Sequence, residues 1–371
     1  MVKLTMIGIT FLFLLGCAGP ATPFGAVPIK EIYRISKGLP DELSDPDMRS
    51  DPLMPARGIA ATNNAYIAVS PKNQVFHKKQ DLRVHLHDSL KLNMKNKITV
   101  KFNGVNMTDE FYKKAQVILN NNNNLVFEFE NFKLNPKQEN KINFSFKSAE
   151  NKKLKIDITP PTCFWNELNE IKSTEWFSVH SDMLKWINYL GEKERVNPIL
   201  LGGLIAQESG FNTKALSYSK ALGLTQITPI AEKEIISEYP EFPRFPKINN
   251  LSFLKLKSLI SFGKINATNE WRLDPKKSIQ GGLAYLNYLK TYWNKNEQKE
   301  FLDRNLGDDI NFEKEVEWII LASYNSGFTR VRNSIFKNKS SWLNDVELSE
   351  ARRYVNMISS YCFAFSGKLY E

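Results

Sequence analysis

Apolar positions along the 371-residue chain change their period from one region to the next. A largely apolar run from Leu4 to Leu15 follows Lys3; it is too short to span a bilayer and reads as the core of a signal peptide over residues 1–16. From there to Ala68 no period is sustained, and seven prolines between Pro20 and Pro55 break any that begins. Residues 17–68 therefore read as a tether. About fifty residues of flexible coil have an end-to-end distance of roughly 40 Å. Within it, Ile32-Tyr33-Arg34-Ile35 offers a segment that could instead pair onto a neighbouring domain.

Between Val69 and Pro160 the pattern alternates. Leu82/Val84/Leu86, Ile98/Val100/Phe102, Leu125/Phe127/Phe129, Ile142/Phe144/Phe146 and Leu154/Ile156/Ile158 each put apolar side chains on one face of a strand. Asp88-Ser89, Asn103-Gly104, Asn120 to Asn124 and Asn135-Pro136 supply the turns. Short, evenly spaced strands predict a β-sandwich of immunoglobulin-like type over residues 69–160, on pattern alone, since no cysteine pair lies inside it. Pro160-Pro161 closes this stretch, and the helical period begins. Helices are expected from Asp182 to Glu192, Pro198 to Ser209, Ile279 to Trp293, Glu313 to Ser326 and Leu348 to Ser359, in a domain spanning 161–371.

One of these helices carries an acid where its period calls for a leucine. Asn197 can cap it, Pro198 fits its first turn, and Leu200, Leu201, Leu204 and Ile205 recur as one buried face. Glu208 continues that face, and Gly210 offers a left-handed stop. Apolar neighbours withhold solvation from Glu208, and the carbonyl end of the helix repels negative charge, so both raise its pKa. A carboxylic acid that keeps its proton near neutral pH suits glycosidic cleavage, in which the leaving oxygen must be protonated.

Three ordered motifs sharpen this reading: Glu208-Ser209-Gly210-Phe211, then Gly223-Leu224-Thr225-Gln226-Ile227 with Pro229, then Tyr324-Asn325-Ser326-Gly327. Asp274-Pro275 with Ile279, Gly282, Tyr285 and Leu286, and later Arg353-Tyr354-Val355, follow in order. Together they resemble the soluble lytic transglycosylase (SLT) family, with its goose-type lysozyme fold, from about residue 164 onward. For that stretch the resemblance implies an α-helical lysozyme-like catalytic domain, so the chain is expected to be multidomain, the all-β sandwich read from the alternation preceding it. It implies that Glu208 protonates the oxygen between N-acetylmuramic acid and N-acetylglucosamine. As carboxylate it would then deprotonate the muramic acid C6 hydroxyl, giving a 1,6-anhydro end without consuming water. Ser209 would orient the acid or the acetamido group, Gln226 would line the sugar cleft, Tyr324 would bond the acid or a sugar, and Asn325 would shape the cleft. Thr225, Ser278, Ser323 and Ser326 stand where the family commonly has methionine, asparagine and alanines, and Thr225 in particular is expected to shrink the apolar cleft wall.

Leu14-Leu15-Gly16-Cys17 similarly resembles the lipobox of bacterial lipoproteins. That implies cleavage before Cys17, lipidation of it, and a stable anchor. Ala18 after it points to the outer membrane of a diderm bacterium, facing the periplasm. Two cysteines then remain, Cys163 and Cys362; in an oxidising compartment an even number favours a bridge, two buried free thiols being the alternative.

Composition changes the picture in one place. Of the chain's ten net positive charges, residues 70–160 carry a surplus of eight, from 16 Lys and one Arg against nine Asp and Glu. Such a module would attract anionic wall polymer or lipid headgroups, whereas a solvated lysine-rich surface needs no ligand. Nucleic acid is a poor partner for an exported lipoprotein. No cofactor or metal is called for: His85 and His87 form a two-ligand pair without further ligands, His180 stands alone, and no phosphate-binding glycine loop is present. Three functions are thus weighed: a peptidoglycan lytic transglycosylase, a goose-type muramidase that hydrolyses the same bond with help from an acid such as Glu232, Glu234 or Asp274, and a catalytically silent wall-binding lipoprotein.

Overall fold

A computed structural model describes residues 59–70, 82–90, 98–120, 123–129, 137–158, 163–174, 176–306 and 312–365. Cys17, the signal peptide and the tether up to residue 58 lie outside the described residues, as does Ile32 to Ile35.

The first unit consists of strands β1 (Ile59–Ala61), β2 (Ala65–Ser70), β3 (Leu82–Asp88), β4 (Ile98–Phe102), β5 (Val105–Asn106), β6 (Gln116–Asn120), β7 (Asn124–Phe129), β8 (Ile142–Lys147) and β9 (Lys153–Ile158), with a short helix, α1 (Thr108–Lys114), between β5 and β6. They form two antiparallel sheets, ordered β1-β2-β3-β7-β6 and β5-β4-β8-β9. Alternation does the work anticipated from the sequence: Ile67, Val84, Leu86 and Phe127 of the first sheet and Val100, Phe102, Phe144, Phe146 and Ile156 of the second bury one shared core. Phe111 of α1 is enclosed by the same core. Its ring makes edge contacts with Phe127 at 5.1 Å and Phe144 at 5.8 Å, one from each sheet.

The expected boundary at residue 69 is too late. β1 and all of β2 but its last two residues fall inside the stretch read as tether, paired with each other through Ala60 and Ile67 and onward to β3. Their core-facing side chains, Ala60, Ala65, Ile67 and Val69, are half alanine, which suffices against a sheet but raises the local hydropathy too little to reveal a period.

The second unit is helical: α2 (Ser181–Lys193), α3 (Pro198–Ser209), α4 (Pro229–Ile236), α5 (Phe253–Ser261), α6 (Pro275–Trp293), α7 (Asn296–Leu306), α8 (Phe312–Ser326), α9 (Phe328–Asn338) and α10 (Ser349–Phe365). The helices not anticipated, α4, α5, α7 and α9, are short. Two of them announce themselves by caps rather than period: Thr228 and Ser252 each accept the backbone N–H three residues on, from Ala231 and Lys255.

The structure revises the expectation for α3. It is not amphipathic; every residue from Pro198 to Ala206 is buried, so the helix is an axle around which the others pack. Gly203 allows α10 to approach closely, since a Cβ there would sit 3.3 Å from the Ile358 carbonyl oxygen and 3.6 Å from Cys362 Sγ. At that contact Cys362 is bonded to Cys163, across 199 residues. The bridge joins the start of the helical unit to its last helix. In the chain-entropy model a loop of this length contributes about 4 to 5 kcal/mol. Replacing both cysteines by serine is therefore expected to lower unfolding free energy by several kcal/mol in denaturant titrations, and a loss under about 1 kcal/mol would contradict this.

Candidate active site

Glu208 leaves the buried axle at its last turn. Asn197 fixes the helix start, its Oδ1 accepting from the Ile199 N–H at 3.0 Å, and Gly210, left-handed at φ 57°, ends it with an N–H donated to the Ala206 carbonyl at 3.0 Å. These two ends place the Glu208 side chain at the margin of the core, half-buried. The Tyr354 hydroxyl, on α10, donates to Glu208 Oε1 at 2.5 Å. Desolvation pushes the Glu208 pKa from 4.5 up to about 7; the Tyr354 bond pulls against that rise, and the charge of Glu350, also on α10, adds to it. Tyr324 of α8 is near enough that the Glu208 charge, after burial, helps hold its phenol well above the usual tyrosine range.

The second motif forms the neighbouring wall. Gly223, at φ 75°, presses its backbone against the Arg272 carbonyl, where no Cβ could fit. Gln226 is itself left-handed at φ 47°. Its Nε2 donates to the Ala215 carbonyl at 3.1 Å and the Gly223 carbonyl at 2.9 Å. Both amide protons thus staple the loop. The loop is tied to the third motif by Tyr324, whose hydroxyl donates to the Thr225 carbonyl at 2.7 Å.

Thr225 is fully buried, donating from Oγ1 to the Ser278 carbonyl at 2.8 Å, with the Ser278 hydroxyl 3.3 Å away. Two departures from the family pattern therefore pair with each other, polar against polar. Ser323 is likewise buried and satisfied, donating to the Ile319 carbonyl at 2.6 Å and accepting from Trp293 Nε1 at 3.0 Å.

The remaining expected residues lie close by in sequence but turn inward. The Ser209 hydroxyl donates to the Ile205 carbonyl one turn back, at 3.1 Å, and Asn325 Oδ1 accepts from the Ser326 hydroxyl at 2.9 Å. Of the acids named as possible second carboxylates, Glu232 is buried and accepts from Trp271 Nε1 at 3.2 Å beside Arg272, and Asp274 caps α6 at the Lys277 N–H, 2.8 Å away. Glu234 is exposed on α4. The partner beyond the reach of sequence reasoning is Tyr354: its motif is visible, but nothing in the spacing places a residue 146 positions downstream onto Glu208. His85 and His87 share the Oδ1 of Asn124, at 3.1 and 2.9 Å. Among the described residues no group of three or more His, Cys, Asp or Glu could hold a metal.

A family model described as "Transglycosylase SLT domain" matches residues 185–251 and 256–344. Among solved structures the chain is similar to an inactive mutant of the lytic transglycosylase Slt of Pseudomonas aeruginosa, at 19% identity, over 52% of this chain and 25% of that one, with a TM-score of 0.35. It is similar to the 70 kDa soluble lytic transglycosylase of Escherichia coli at 20% identity over the same shares, with a TM-score of 0.34. The chain thus spans about a quarter of the length of these structures.

The raised acid has a measurable signature. Between pH 4.5 and about 7 Glu208 ionises in the unfolded chain but not in the folded one, so rising pH destabilises the fold there by about 1.4 kcal/mol per unit. Glu208→Gln, which cannot ionise, is expected to match the wild type in stability at pH 4 and to exceed it by up to about 3 kcal/mol at pH 8. Calorimetry at both pH values checks this; equal stability at pH 8 would mean an ordinary carboxylate. Tyr354→Phe should move the plateau of that difference to higher pH, because it removes the bond that favours the ionised form.

Proposed function

We propose, since the chain carries a Transglycosylase SLT domain, that it is a peptidoglycan lytic transglycosylase with Glu208 as its single acid and base. The observation that carries this reading is a carboxyl with a pKa near 7, held by one tyrosine hydroxyl at the end of a buried helix. In its protonated form Glu208 donates to the bridging oxygen between N-acetylmuramic acid and N-acetylglucosamine. The resulting carboxylate, which Tyr354 stabilises, takes the proton of the muramic acid C6 hydroxyl as that oxygen closes onto C1. A group balanced between its two forms at neutral pH suits both steps. Gln226 Oε1 faces the sugar as an acceptor, Tyr324 holds the cleft loop, and Ser209 and Asn325 set the ends of their helices.

The rest of the envelope reading is proposed with it. The mature protein is anchored through lipid on Cys17 to the outer membrane, facing the periplasm, and the Cys163–Cys362 bridge supports an oxidising compartment. The sheet orders β1-β2-β3-β7-β6 and β5-β4-β8-β9 support an immunoglobulin-like sandwich with β1 added at one edge, since β2 to β9 distribute between the sheets as that topology requires. Its surplus of lysine faces anionic wall polymer.

Mass spectrometry of muropeptides released from purified sacculi tests the activity. Anhydro products from the soluble mature protein, and none from Glu208→Gln, are expected. Products heavier by one water would make the protein a goose-type muramidase, and Glu350, exposed on the first turn of α10, would be its candidate second carboxylate. No release from either protein would leave a wall-binding lipoprotein. Binding of the Glu208→Gln protein to sacculi should weaken steeply as salt rises, and salt-independent binding would remove the charge argument.

A further inference from the structure

The β unit does not merely precede the helical one; it grips the helix that carries Tyr354. The grip is residues 137–141, the approach to β8. They are braced against the β4–β5 turn: the Asn103 N–H donates to the Lys141 carbonyl at 2.8 Å, the Lys141 N–H to Asn103 Oδ1 at 2.9 Å, and Asn103 Nδ2 to Gln138 Oε1 at 3.3 Å. From this braced segment Asn140 Nδ2 donates to Ser360 Oγ at 2.8 Å, and the Ser360 hydroxyl donates onward to the Gln138 carbonyl at 2.5 Å. Glu139 Oε2 accepts from Asn356 Nδ2 at 2.9 Å, with Arg353 4.0 Å from its other oxygen.

The spacing divides α10 into two faces. Arg353, Asn356 and Ser360, three and four residues apart, meet the β unit, while Tyr354, Ile358 and Cys362 turn toward α3. Asn140 and Ser360 are both wholly buried, at 0% exposure. A directional bond in such a place is costly to leave unmade and fixes the register of the two surfaces, which an apolar contact would allow to slide.

We propose that Asn140 and Ser360 are positioning residues for Glu208: through them the β unit sets where α10 lies, and so holds the Tyr354 hydroxyl on the carboxyl of Glu208. The groups that face Glu208 are Tyr354 and Glu350 from α10 and Tyr324 from α8, with Tyr285 of α6 behind Tyr324. The charged residues of the gripping segment are engaged elsewhere. Lys137 lies over the Phe177 ring, Glu139 is at Asn356 and Arg353, and Lys141 pairs with Asp157 at 2.9 Å. The segment therefore acts on the acid through the position of α10 and not through its own field. The catalytic consequence rests on Glu208 being the acid; the coupling itself does not.

The test reads Glu208 without substrate. Asn140→Gly removes the side chain while tolerating the left-handed backbone there, φ 51°, and Ser360→Ala removes its partner within a helix. Each is made in the full mature chain, with and without Glu208→Gln, and the stability difference within each pair is followed against pH. The pH at which that difference stops growing is the pKa of Glu208. Both variants are expected to raise it by about one unit, the size of one lost hydrogen bond to a carboxylate, as Tyr354→Phe does. Asn140→Gly should add nothing in the Tyr354→Phe background. Ile67→Val, which loosens the β core alone, should cost stability without moving the titration. The proposal is overturned if Asn140→Gly and Ser360→Ala lower stability yet leave the Glu208 titration where the wild type has it. Should sacculi not be cleaved by the wild type, the proposed activity fails while this titration still decides the coupling.

Discussion

The structure depends on one helix being buried along almost its whole length while its last turn carries an acid. Burial of α3 fixes the Glu208 backbone more firmly than a surface helix would, because α10, α2 and the segment around Ile171 all bear on it. The same burial withdraws water from the carboxyl and makes protonation at neutral pH favourable. Position and acidity thus share a cause: water admitted around the carboxyl returns Glu208 toward an ordinary carboxylate, whereas loss of the Tyr354 bond alone moves it the other way.

Around that axle, polar groups settle geometry. Gln226, Tyr324 and Thr225 knit the second and third motifs together, with hydrogen bonds that end on backbone carbonyls. Side chains tied to the backbone hold these loops in one shape. The Thr225 and Ser278 pair illustrates how a polar residue enters a buried place: each hydroxyl has the other for company, so neither is left without a partner.

Legibility in the sequence followed how local each signal was. The strand alternation, the boundaries of α3 and the departure of Glu208 from its apolar period are properties of a short window, and they were readable. The two alanine-rich strands β1 and β2 were not, since their burial comes from the sheet they join and not from their own hydropathy. Nor was the all-round burial of α3, because Gly202 and Gly203 look like weak helix formers until α10 and Ile171 are laid against them. The bond from Tyr354 to Glu208 and the lock between Asn140 and Ser360 join residues 146 and 220 positions apart. Such pairings are set by the closure of the whole fold, and no periodicity encodes them.

The bridge between Cys163 and Cys362 has a mechanical meaning as well as a thermodynamic one. A load entering the helical unit from its N-terminal side arrives first at Cys163, and there the path divides. Part of it runs along the backbone toward α2; the rest crosses a covalent bond straight into α10, the helix that already lies against both the β unit and α3. Peeling the helical unit open from that side would mean breaking a chemical bond instead of unzipping side chains one by one. Under tension from that side, α10 and the turn of α3 packed on it would keep their relative places for that reason.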